Sequence, residues 1–66
     1  MKIYKFHLKD KKFAKVLASD QHHAKLILEL DGFDVSDMIG IDQEVPSDWV
    51  SGGQIYQIIE SKDYKG

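Results

Sequence analysis

Residues 13–32, FAKVLASDQHHAKLILELDG, decide the fold. In its first six residues Phe13, Lys15 and Leu17 alternate with Ala14, Val16 and Ala18, the pattern of a strand with two unlike faces. Ser19-Asp20 then offers side-chain oxygens to the first turn of a helix. The helix is expected from Asp20 to Leu30, and Asp31-Gly32 ends it with a residue suited to the left-handed conformation. At about 100° per residue, Ala24, Leu26, Ile27, Leu28 and Leu30 fill an arc of roughly 200°. Ala24, Ile27 and Leu28, at its centre, are expected to meet the sheet, and the small alanines of the preceding strand let the helix lie close. Leu26 and Leu30, at its edges, need cover from the second half of the chain or from a partner.

Working outward, residues 2–8 read as a strand with Tyr4, Phe6 and Leu8 on one face and Ile3, Lys5 and His7 on the other. Lys9-Asp10-Lys11-Lys12 reads as a hairpin turn, without the Asn-Gly or Asp-Gly pair that would assign its type. Beyond the helix, Phe33 and Val35 anchor the chain as it turns. A third strand is expected over 38–45, with Ile39, Ile41 and Val45 on one face, Gly40 at a bulge and Pro46 as the stop. Residues 47–50 read as a short helical turn or a loop, 51–53 as a flexible connection, 54–60 as a fourth strand and 61–66 as a frayed polar tail. The order β-β-α-β-β predicts a single α+β domain over residues 1–66, one helix packed on one face of a mostly antiparallel sheet. This layout, with its Ala18-Ser19-Asp20…Ala24 strand-to-helix junction, is similar to the short stand-alone β-β-α-β modules of phages and mobile elements. The similarity is one of layout and carries no activity with it.

Charge is unevenly distributed along the chain. Lys2, Lys5, Lys9, Lys11, Lys12, Lys15 and Lys25 face only Asp10 and Asp20 in the first 25 residues. From Leu26 to Ser61 there is no lysine or arginine, while Glu29, Asp31, Asp34, Asp37, Asp42, Glu44, Asp48 and Glu60 are all acidic. The net charge is −2. A chain of 66 residues makes one small domain of marginal stability, with little room for a deep substrate cleft. There is no cysteine, which excludes a disulfide framework, a thiolate metal site and a cysteine nucleophile, and favours the cytoplasm. No apolar run approaches membrane-spanning length, and the first residues lack the apolar core of a signal peptide.

The candidate sites follow from these patterns. Glu29, Asp31, Asp34 and Asp37 crowd the helix exit, where acids oppose the helix dipole. They are either solvated and balanced by the hairpin lysines, or form an acidic patch for a basic partner. Asp31 to Asp37 lacks the ligand spacing of a calcium loop. His22-His23 lacks the i, i+4 spacing of a helical zinc pair; His22 faces solvent and His23 falls inside the apolar arc. No serine lies in a nucleophile elbow, and Gly52-Gly53 lacks the lysine of a phosphate loop. No cofactor or metal is implied. Trp49 is either a lid over the core or an exposed anchor. Tyr4 and Phe6, with lysines nearby, have the alternation of a base-stacking platform, but core packing is the commoner role of strand aromatics. The absence of arginine and asparagine argues against reading of DNA sequence.

The expected function is therefore a small non-enzymatic module that binds a protein partner, or a second copy of itself, through Glu29, Asp31, Asp34, Asp37, Trp49, Leu26 and Leu30. The alternative is a weak nucleic-acid binder using Lys2, Lys5, Lys9, Lys11, Lys12 and Lys15 around the first hairpin.

Overall fold

The computed structural model describes residues 1–9 and 11–60. Asp10, in the expected turn, and the expected tail 61–66 lie outside the described residues. Strand β1 (Lys2–Leu8) turns back through a three-residue connection into β2 (Lys12–Ala18), pairing Lys2 with Ala18 and Leu8 with Lys12. Lys11 takes φ 59°, the left-handed value that lets a three-residue hairpin loop close. Helix α1 follows (Gln21–Leu30), with Asp20 as its N-cap: the carboxylate accepts from the His23 backbone N–H at 2.8 Å. At its other end Gly32 adopts φ 92°. The Gly32 N–H donates to the Glu29 carbonyl and the Phe33 N–H to the Leu28 carbonyl, the paired bonds of a Schellman motif. Phe33 then packs onto the core that holds Leu28.

Strand β3 (Val35–Asp42) pairs antiparallel with β1, and β4 (Tyr56–Glu60) pairs antiparallel with β2. The sheet order is β3-β1-β2-β4, so the hairpin supplies the two central strands. The connection between the outer strands crosses the sheet through a short helix, α2 (Ser47–Gly52). This is the α+β architecture expected from the order of elements, with α2 added.

The core lies between α1 and one face of the sheet. Tyr4, Phe6 and Leu8 of β1, Ala14, Val16 and Ala18 of β2, and Ala24 and Leu28 of α1 are all buried. The alanines work as expected: three of the eight core positions have only a methyl, so helix and sheet approach closely. Burial of Tyr4 and Phe6 on this side removes them as a stacking platform. The opposite face carries Ile3, Lys5, His7, Phe13, Lys15 and Leu17. His7 and Phe13 stack there with ring centroids 4.7 Å apart. Ile3 is nonetheless buried, and Trp49 of α2 is buried as well, both outside the helix-side cluster.

Strand β3 departs from expectation. It spans Val35–Asp42 instead of 38–45, and Val45 lies beyond it. Its partners explain the shift: Val35 lies opposite Leu8, Met38 opposite Phe6 and Ile41 opposite Tyr4. Each step of two residues on β1 matches three on β3, because the register shifts twice. The apolar residues that face the core side are thus three apart, not two. Gly40 lies beside the shift at Ile39, and a Cβ there would meet Lys5 Cε at 3.0 Å, so the glycine makes room for the Lys5 stem. β4 begins at Tyr56, two residues later than expected, after α2 has continued through Ser51 and Gly52 to a left-handed Gly53.

Candidate interaction surface

The expected site residues do not form one surface. Glu29, Asp31, Asp34 and Asp37 are exposed around the helix exit. Along β3, His7 Nδ1 lies 3.6 Å from the Asp37 carboxylate, and Lys5 Nζ lies 3.6 Å from that of Asp42. The turn holding Asp34 is fastened to the hairpin by its backbone, the Lys9 N–H donating to the Asp34 carbonyl. Trp49 is only 6% exposed, so its ring closes the structure from within and is not presented outward. Leu26 is exposed and is not among the residues that line the hollow at Leu30. His23, placed in the apolar arc by its spacing, is exposed but lines a hollow with Ile27 and Leu30 of the same arc. Its Nδ1 lies 3.4 Å from Ser19 Oγ.

The six lysines of the alternative reading also separate. Lys5 and Lys15 pair on the face turned away from α1. Lys2 and Lys12 fall in register with Ala18 and Leu8, on the α1 side, and Lys9 and Lys11 stand at the hairpin. They form no single stripe along which a phosphate backbone would run.

What the structure does gather is apolar surface. Leu30 is 77% exposed, Met1 76%, Val50 67% and Ile55 55%. All four line one of two adjoining hollows. One, of about 510 Å³, lies between α1 and the start of β4 and includes Ile27, Leu30, Asp31, Ile55 and Tyr56. The other, of about 350 Å³, lies beside α2 and includes Val45, Trp49, Val50 and Ile55. Met1, Leu17 and Ile55 belong to both and join them. Two further depressions, one at Asp42–Pro46 and one at Asp20, Gln21, His22 and Lys25, are lined by mainly polar residues, all exposed except the half-buried Val45.

Local structure sets the apolar hollows. Phe33, placed by the Schellman turn, meets Tyr56 edge-on with centroids 5.8 Å apart. The Tyr56 hydroxyl is raised above its ordinary pKa, first by its hydrogen bond to the Asp31 carboxylate, then by desolvation and by the charge of Asp31. The end of α1 therefore lies against the first residue of β4, with Leu30 left outside this contact. The Gln54 side-chain amide donates to the Tyr56 carbonyl at 3.3 Å, which fixes the approach to β4. The sequence pattern marked Leu30 by its place at the edge of a wide apolar arc. It did not mark Met1, Val50 or Ile55, whose neighbourhood exists only once β4 has paired with β2.

Among the described residues, no three histidine, aspartate or glutamate side chains are grouped as metal ligands would be, and no helix is long and apolar enough to cross a membrane. Compared with known protein families, with curated proteins and with solved structures, the chain matches none.

Proposed function

We propose that this chain is a small non-enzymatic protein-interaction module that docks a partner protein on the apolar end of its sheet. The observation that carries the reading is the convergence of Met1, Leu30, Val50 and Ile55, each more than half exposed, on two hollows that meet. Isolated exposed hydrophobic residues need no explanation, but a contiguous group flanked by polar residues is the signature of a binding surface. The acidic residue Asp31 lines this surface, in keeping with a partner that brings positive charge. Scattered lysines and hollows that lack clustered catalytic groups support binding over chemistry. The compact layout, similar to modules of phages and mobile elements, and the lack of cysteine support an origin there and work in the cytoplasm.

The test is a photo-crosslinking residue placed at Leu30, at Ile55 and, as a control, at Ser36 on β3, in cells of the native host. A covalent protein adduct is expected at Leu30 and Ile55 and not at Ser36. Absence of an adduct at both apolar positions, or equal labelling at all three, overturns the reading.

A further inference from the structure

The outer side of β4 shows how such a partner would be held. The Leu17 N–H donates to the Ile55 carbonyl at 2.8 Å, so residues 17 and 55 form a hydrogen-bonded pair. Pairs of this type alternate along an antiparallel ladder. Gln57, opposite Lys15, and Ile59, opposite Phe13, therefore direct their backbone groups inward to β2. Tyr56, Ile58 and Glu60 direct theirs outward. The Gln54 amide on the Tyr56 carbonyl agrees with that parity. Among the described residues no strand pairs with this outer side. The register of β4 with β2 is unbroken, and the strand contains neither proline nor lysine, which are common blocks to strand addition.

We propose that β4 receives, as a fifth strand, an extended segment of a partner protein that carries alternate apolar side chains and a lysine or arginine. This rests on the reading of the apolar end as the docking surface. Strand addition satisfies the outward backbone groups that the Gln54 amide leaves open, and alternate side chains of the added strand fall on the α1 side, beside Leu30 and Tyr56. The charge follows from the border of the hollow: Asp31 lines it, and the chain has no lysine or arginine from Leu26 to Ser61. A second copy is the poorer occupant. Two β4 strands paired antiparallel about Ile58 would set Glu60 opposite Tyr56, on the side of Asp31, and so bring like charges together.

Amide hydrogen exchange of the intact chain tests this with two synthetic octapeptides, Ser-Val-Ser-Val-Ser-Val-Ser-Lys, whose lysine shares the valine face, and the same peptide ending in glutamate. The valine–lysine peptide is expected to slow exchange at Tyr56, Ile58 and Glu60 by about tenfold or more, with little change at Gln57 and Ile59. The valine–glutamate peptide is expected to bind more weakly. Glu60→Pro removes one outward N–H from an exposed position that tolerates proline. It should weaken binding while leaving the melting temperature near that of the parent. Asp31→Asn, which keeps an acceptor for the Tyr56 hydroxyl, should weaken the lysine peptide about two- to five-fold and the glutamate peptide not at all. Peptide-induced protection elsewhere with none on β4, equal binding of both peptides, or a dimer in light scattering whose β4 amides are already protected each overturns the proposal. Crosslinking at Leu30 together with unprotected β4 amides would leave the docking surface standing and remove only the added strand. Loss of crosslinking at Leu30 and Ile55 would remove the surface itself.

Discussion

β3 and β4 both close the sheet, one at each side, but they present different borders. β3 carries two register shifts in eight residues, has Asp37 and Asp42 on its length, and is followed by Pro46. β4 keeps an unbroken register over five residues and bears no charge between Tyr56 and Ile59. Bulges and charge are the usual means by which an edge strand is kept from pairing with another chain. The first border is guarded in this way and the second is not; Ile39 and Ile41 are partly exposed on β3, but the more exposed Leu30 and Ile55 lie beside β4. Selection against aggregation acts on both edges, so an unguarded edge bordered by exposed apolar side chains supports the docking role proposed for it.

The largest expected effect separates core from surplus. Phe6 is 1% exposed and lies opposite both Ala14 and Met38. Phe6→Ala should cost about 3–5 kcal/mol, which is the order of the whole stability of a domain this small. Urea denaturation should find the variant largely unfolded in water. Ile55→Ala, at the β4 border, should shift stability by no more than about 0.5 kcal/mol. A cost near 2 kcal/mol at Ile55 would make that border part of the core and erase the contrast between the edges.

How much of this was legible in the sequence varies with the range of the interactions. The first hairpin, α1 and both of its caps are set by neighbours: the alternation of residues 2–8 and 13–18, Asp20 at the start, Gly32 at the end. Those elements appear close to where local pattern puts them. β3 does not, because a strand with two bulges repeats its inward residues every three positions. Val35, Met38 and Ile41 belong together only through their partners Leu8, Phe6 and Tyr4. The candidate surface was legible in the same measure. Leu30 was visible as an edge residue of the helix. Ile55 and Met1 come to it from 25 and 29 positions away, and no local pattern reports such a meeting. Trp49 was marked by its size, and only the crossing of α2 decides that it closes the fold.

Smaller changes sharpen the comparison from the helix side and from the hairpin. Asp20→Ala removes the cap bond to the His23 N–H and should cost about 1 kcal/mol. α1 supplies one wall of the β4 hollow, so amide exchange should quicken in its first turn and leave the β1–β3 ladder unchanged. Faster exchange throughout β3 would show that the guarded edge depends on the same cap. Lys11→Gly relieves a non-glycine residue at φ 59° and should stabilise by up to about 1 kcal/mol. The hairpin joins the two central strands, so the gain should appear equally in the inward amides beside both edges. A gain confined to one side would mean that the edges unfold separately.

The smallest effect lies at the tie between α1 and β4. In the folded chain Tyr56 holds its proton more tightly than an ordinary tyrosine, chiefly because its hydroxyl donates to Asp31. A folded-state pKa above the unfolded value of about 10 means that the native state binds more protons in that range. The contribution is present in full below pH 10 and is lost as pH rises through the folded value. Tyr56→Phe removes the hydroxyl and with it this part of the pH dependence. The melting temperature of the parent should therefore fall more steeply than that of the variant as pH rises above about 10, and the two should run parallel near pH 7. Parallel curves over the whole range would show that the Asp31–Tyr56 bond does not hold in solution, and α1 would then be free to move relative to β4. The hollow beside Leu30 would lose one of its fixed walls, and with it the difference in preorganisation that sets the β4 border apart from β3.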